Sequence, residues 1–151
     1  MKTLVLGVGN PILTDDGIGI KIAQRLKKEK PDIEVIETDE AAMAILDLIV
    51  STECDRLIII DSIKTGQGKL GELYQFELED LKPAKDFSSS HGVDIATAFE
   101  LGQRLGYSMP QHVSLYAVEI KDNTTFGEGC TEIVEEKIPF FVRQIIEQEK
   151  L

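Results

Sequence analysis

The sequence predicts an open, mostly parallel α/β sheet with helices on both faces, and three observations carry that prediction. Residues 3–8 and Leu57-Ile-Ile-Ile60 are unbroken apolar runs rich in branched side chains, as expected of strands covered on both sides. Stretches with apolar residues at helical spacing alternate with such runs, giving the order βαβαββαβα. One connection, Thr65 to Lys69, is too short for a helical crossover, so one strand runs antiparallel.

Taken in order, residues 3–8 form the first strand, which is expected to be central. Gly7 and Gly9 permit a tight turn, and Pro11 keeps Asn10 out of the helical region, so Gly9 to Asp16 stays irregular. Ile18, Ile22, Ala23 and Leu26 then mark the buried face of a helix. Its end carries the basic cluster Arg25 to Lys30, where cations favour the helix dipole. Ile33 to Ile36 is a short strand, and Ala41, Ala42, Ile45, Leu46 and Ile49 line a second helix. The third strand ends in Asp61, and Leu70 to Phe76 supplies the antiparallel one. Beyond a polar linker, Asp80 to Ser90, a helix is expected over His91 to Leu105, with Ile95, Ala98, Phe99 and Leu101 inward. His112 to Val118 is the last strand. Thr131 is expected to cap a terminal helix with acids in its first turn, which Pro139 kinks or restarts.

Composition narrows the function classes. A chain of 151 residues with 42% hydrophobic and 28% charged residues suits one domain, residues 1–151, with a core of its own. Sixteen basic against 27 acidic residues leave a net charge of −11, which disfavours nucleic acid and anionic membrane surfaces as partners. Cys54 and Cys130 have no metal-type spacing and make no disulfide framework, so reduced thiols in a cytoplasm are expected. Neither a secretory leader nor an apolar run near the ~20 residues of a membrane span is evident.

In a sheet of this kind reactive loops gather at the carboxyl ends of the strands. Asp15 and Asp16 follow the first strand, Asp61 ends the third, and His91 precedes a helix, so oxygen and nitrogen donors from distant sequence converge on one edge. Such a donor set suits a divalent metal of borderline softness, nickel or zinc. Each residue also has a plainer reading: Asp16 as a helix cap, Asp61 as a turn former, His91 as an ordinary helix-start residue behind Ser88-Ser-Ser90. Other chemistries fit less well. Ile12 stands where a dinucleotide fingerprint needs its third glycine, Pro11 lacks an N–H, and two carboxylates repel a phosphate. No G-x-S-x-G elbow is present, and a Cys130–His112 thiol pair suffers from the acidic surround of Cys130.

Gly7-Val-Gly9-Asn10 with Asp15-Asp16-Gly17-Ile-Gly19, Ile60-Asp61-Ser62 and Ser90-His91-Gly92 together resemble the hydrogenase maturation endopeptidases, nearly end to end. Proteins of that family remove a C-terminal extension from the large subunit of [NiFe] hydrogenases after nickel insertion. The resemblance implies a cytoplasmic, monomeric peptidase whose Asp16, Asp61 and His91 act as catalytic and metal-contacting residues. Nickel is supplied by the nickel-loaded large-subunit precursor, on thiolates, so the protease adds only carboxylates and one imidazole. Whether metal also polarises the scissile carbonyl or an attacking water is a further expectation, prompted by the lack of another nucleophile. Glycines 7, 9, 17 and 19 would let a substrate tail approach the backbone, and Asp15 would hold the loop's shape. Two features stand apart: Glu37 to Ala42 lacks the glycine-containing turn common in the family, and Thr125 to Thr131 looks like the version found with cytosolic, cofactor-reducing hydrogenases.

Two other classes compete. A receiver-type signalling domain would use Asp61 as phosphoacceptor beside magnesium-binding acids, although Lys121 precedes Asp122 rather than the proline usual there. A non-cleaving chaperone would hold the same precursor through the same surface.

Overall fold

The computed structural model describes residues 1–39, 42–80 and 90–151. Its strands are β1 (Thr3–Val8), β2 (Glu34–Thr38), β3 (Arg56–Ile63), β4 (Leu73–Phe76) and β5 (His112–Glu119). Its helices are α1 (Ile18–Glu29), α2 (Ala42–Thr52), α3 (Ser90–Arg104), α4 (Glu132–Glu136) and α5 (Ile138–Glu149), with short 3₁₀ turns at Thr14–Gly17 and Leu78–Asp80. The five strands lie in the order β2-β1-β3-β5-β4, so β3, rather than β1, occupies the centre. Pairings among β2, β1, β3 and β5 are parallel. Antiparallel β4 is the edge strand and pairs with β5, not with the β3 that precedes it in sequence.

Strand alternation builds two apolar layers from the same strands. Val5, Ile58, Ile60, Tyr116 and Val118 face α1, α4 and α5, meeting Ile18, Ile22, Leu26, Val134, Phe141 and Ile145. Leu4, Leu6, Val8, Leu57, Ile59 and Leu115 face the other way, onto Ile45, Leu46 and Ile49 of α2 and Ile95, Ala98 and Phe99 of α3. Both faces of β1 and β3 are therefore buried, which is why these strands read as continuous apolar runs. Leu101 is only partly buried at the rim of its layer.

Two boundaries depart from expectation, and a third, at Pro139, follows it. β2 is shifted toward Thr38 because it follows β1 in register as far as Val8↔Thr38. Asp61 lies inside β3, which continues to Ile63 because Asp61↔Ala117, Ser62↔Val118 and Ile63↔Glu119 still pair with the long β5. The terminal helix breaks at Lys137, and Pro139 sits in the first turn of α5, where its missing N–H costs nothing. Glu40, Ala41 and the linker residues 81–89 lie outside the described residues.

The far end of the core is pinned by a polar contact. Tyr116, 1% exposed, donates its hydroxyl to Glu149 Oε2 at 2.6 Å, and Arg56 Nη1 donates to the Glu149 carbonyl at 2.8 Å. Burial first, and then Glu149, push the Tyr116 phenol well above its ordinary range. Tyr116→Phe is expected to cost about 1–3 kcal/mol, because a buried carboxylate loses its phenolic donor. Urea unfolding with an unchanged slope and a lowered midpoint is the expected result; an unmoved midpoint would contradict this role.

Candidate active site

The carboxyl edge of the sheet is shaped by how closely the segment after β1 lies against the strand tips. Gly9 has φ +149°, and a Cβ there would stand 2.1 Å from the Asp16 carbonyl oxygen. At Gly19 a Cβ would meet the Ile60 carbonyl oxygen at 2.3 Å and that of Val8 at 2.6 Å. The beginning of α1 therefore rests on the backbone of β1 and β3. Added Cβ atoms at Gly7 and Gly17 would likewise meet Ala23 Cβ and Pro11 Cα, both at 2.7 Å. These glycines serve the chain's own packing, and the expectation that they open the backbone to a substrate tail is corrected.

Asp16 sits on the 3₁₀ turn, half-buried, and is held from two sides. Its Oδ2 accepts the Asn10 N–H at 2.8 Å, and its Oδ1 accepts the Ser62 hydroxyl at 3.3 Å. It does not cap α1, whose N-cap position is Gly17 without a side-chain cap bond. Asp61 is 5% exposed, and its Oδ1 accepts the Ser62 N–H at 2.7 Å. Ser62 thus hydrogen-bonds both carboxylates, one through its backbone and one through its side chain. Strand alternation sets Asp61 on the same face as Leu57 and Ile59, toward the α2–α3 layer, and Ser62 on the face of α1. Helix α3 leads into the amino end of β5, so its first turn, with His91, belongs to the carboxyl edge. The His91 side chain lies outside the described residues. Among the described residues, no group of three His, Cys, Asp or Glu side chains is disposed to hold a metal.

Asp15, adjacent in sequence, has the opposite fate. It is fully buried, and its Oδ1 accepts the Thr131 N–H at 2.7 Å while Oδ2 accepts the Thr131 hydroxyl at 3.2 Å and the Asp122 N–H at 3.4 Å. The backbone adds Asp15 N–H to Asp122 O at 3.0 Å, Thr14 N–H to Gly127 O at 3.0 Å and Gly127 N–H to Ile12 O at 2.9 Å. The Thr14 hydroxyl also donates to the Thr125 carbonyl. Residues 122–131 are in this way fastened along the turn that carries Asp16. Thr131 occupies the N-cap position of α4, yet its side chain makes no cap bond there, because its hydroxyl is spent on Asp15.

Residues 20–148 match the family model described as hydrogenase maturation protease (HycI). The chain belongs to the hydrogenase maturation protease family. It is 30% identical to the hydrogenase 2 maturation protease of Escherichia coli strain K12, over 97% of this chain and 89% of that protein. The structure of the hydrogenase maturating endopeptidase HybD from Escherichia coli superposes with a TM-score of 0.82 at 29% identity, covering 99% of this chain and 93% of the other. The protease HycI from Thermococcus kodakarensis KOD1 shares the fold, with a TM-score of 0.73, 23% identity and coverage of 99% and 93%. This protein is accordingly an enzyme of the peptidase class, and the phosphoacceptor and non-cleaving readings fall away. Among the described residues, no helix is long and apolar enough to cross a membrane.

The thiol alternative also fails on geometry in this maturation protease. His112 opens β5 at the amino edge, whereas Cys130 donates to the Thr14 carbonyl at 3.7 Å on the carboxyl edge. Burial first, then Asp15 and Glu135, push the Cys130 thiol up to about 12. A thiol so raised stays protonated at neutral pH and becomes thiolate only as the pH climbs toward that value. Iodoacetamide at pH 8 should therefore label native Cys130 far more slowly than the urea-unfolded chain; equal rates would contradict the burial and charge described.

The two neighbouring aspartates make a sharper contrast. Asp15→Ala is expected to destabilise by roughly 2–4 kcal/mol, since it empties a buried position and strips the partner from three half-buried donors, while Asp16→Ala should cost under about 1 kcal/mol. Denaturant midpoints decide, and a larger loss for Asp16→Ala would reverse the assignment.

Proposed function

We propose that this maturation protease removes the C-terminal extension of a [NiFe] hydrogenase large-subunit precursor, reading the nickel already bound there through Asp16, Asp61 and His91. The observation that carries the reading is the pair of carboxylates from distant sequence, Asp16 and Asp61, tied together through Ser62 at the edge to which the first turn of α3 belongs. Carboxylate oxygens and an imidazole add to a thiolate-held nickel without competing for its sulfur ligands, so the metal belongs to the substrate and reports that loading is complete. When present, nickel supplies Lewis acidity beside the bond to be cut. The chain's own residues orient it. Asn10 and Ser62 fix the Asp16 oxygens, and the Ser62 N–H fixes one oxygen of Asp61, so neither carboxylate needs to reorganise when the precursor arrives. A monomeric enzyme acting in the cytoplasm, where thiols stay reduced, completes the proposal.

Mixing the protein with nickel-loaded and nickel-free precursor and measuring C-terminal mass loss tests the reading. Cleavage of the loaded form alone is expected, with Asp16→Ala, Asp61→Ala and His91→Ala each slower by about 100-fold or more. Equal cleavage of both forms, or full activity in any one of the three variants, would overturn it.

A further inference from the structure

Two large apolar side chains stand in solvent on the rim that carries Asp16. Ile12 is 49% exposed and Phe126 is 80% exposed. They are neighbours across the clamp: the Gly127 N–H donates to the Ile12 carbonyl at 2.9 Å, and Leu13 and Gly127 form a parallel bridge. Neither rides on a loose segment. The Ile12 N–H is held by Asn10 Oδ1 at 3.1 Å, and the stretch around Phe126 is tied down through Thr14 and the buried Asp15. A third exposed apolar residue, Met43, lies at the start of α2 on the same edge and is 64% exposed. Single exposed apolar residues are ordinary on protein surfaces. Here three come from three different connections of one edge, and two of them are mounted on a braced wall beside the Asp16 turn.

The charges of this edge narrow the occupant. Asp39, Asp122 and Glu128 lie on its loops and Glu37 stands near the carboxyl end of β2, against Lys64 and Lys121, in a chain of net charge −11. Hydrogen bonds from Thr125, through its backbone and side chain, and then from the Thr124 backbone hold the Asp122 carboxyl below the usual range, so it stays charged. An acidic rim with apolar knobs complements an extended polypeptide that carries both apolar and basic side chains.

We propose that Ile12 and Phe126 form a docking surface for the polypeptide segment flanking the cut bond of the protein substrate, a segment with apolar and Lys or Arg side chains. The proposal rests on the functional reading above, because it takes the Asp16 edge as the place of cleavage. The surface anchors the chain so that the bond to be cut lies over the carboxylates, and it contributes to KM rather than to the chemical step.

The test compares the parent with Ile12→Ser, Phe126→Ser and the double variant, using nickel-loaded precursor and two readouts. One is the rate of C-terminal mass loss against precursor concentration; the other is direct affinity for fluorescently labelled precursor, which needs no cleavage. Leu105→Ser/Tyr107→Ser removes exposed apolar side chains between α3 and β5, at the opposite edge, and serves as control. For the double variant the expected result is a rise of about 10-fold in KM and in dissociation constant, with kcat within about 2-fold and an unshifted melting transition. The control should match the parent, and higher salt should raise the parent's KM. An unchanged KM and affinity in the double variant would overturn the proposal, as would a fall in kcat at constant KM. So would sedimentation showing a dimer that the double variant dissociates while affinity for precursor is kept. Loss of affinity in the double variant, with precursor bound but cut independently of Asp16 and Asp61, would sink the functional reading and leave this surface standing.

Discussion

The arrangement of this protein depends on a backbone contact that has no room for a side chain. α1 begins directly against the carbonyl oxygens of Val8 and Ile60, and the turn before it touches Gly9 through the Asp16 carbonyl. Those contacts decide where Asp16 stands relative to β3. Without them the turn would lift from the strand tips, and the 3.3 Å bond between Asp16 and Ser62 would have no basis. Glycine at 9 and 19 is thus a condition for the bond between Asp16 and Ser62, which lie far apart in the chain.

Adjacent aspartates divide the remaining work. Asp15 is turned inward and binds Thr131 and Asp122, so it fastens residues 122–131 to the turn; Asp16 is turned to the strand edge and remains half-buried. One residue's offset along a tight turn is enough to send neighbouring side chains in opposite directions. The buried carboxylate sets the wall, and the other stays at the strand edge, bonded to Asn10 and Ser62. Ser62 makes a similar division within β3, since alternation puts it on the α1 face while Asp61 faces the α2–α3 layer.

Much of the fold was legible in the sequence because both faces of the sheet are covered. Leu57 to Ile60 and residues 3–8 could be buried strands and little else, and the spacing of Ile18, Ile22, Ala23 and Leu26 marked the inward face of α1. The restart at Pro139 followed from its ring and its missing N–H. What escaped the reading was non-local. β3 runs past Asp61 only because β5 is long enough to pair with it, and a short connection reveals a strand's direction without revealing that its partner is β5. Thr131 has the look of a helix cap, and nothing nearby in sequence signals that a carboxylate over a hundred positions earlier claims its hydroxyl. The glycines were recognised as permissive, but their service to internal packing needed the neighbours that only the fold supplies. Asp16 and Asp61 were legible as acids of one sheet edge; Ser62 was visible only as part of a motif, because the bond it makes to Asp16 across the edge is set by the fold.

The account as a whole rests on nickel being read by oxygen donors of this chain. X-ray absorption at the nickel edge, recorded on loaded precursor before and after addition of the protein at a temperature that halts cleavage, measures that contact itself. Addition of the parent should introduce oxygen or nitrogen neighbours into the sulfur-rich shell of nickel, and Asp16→Ala should reduce them. A nickel shell that stays the same when the protein is bound would contradict the account.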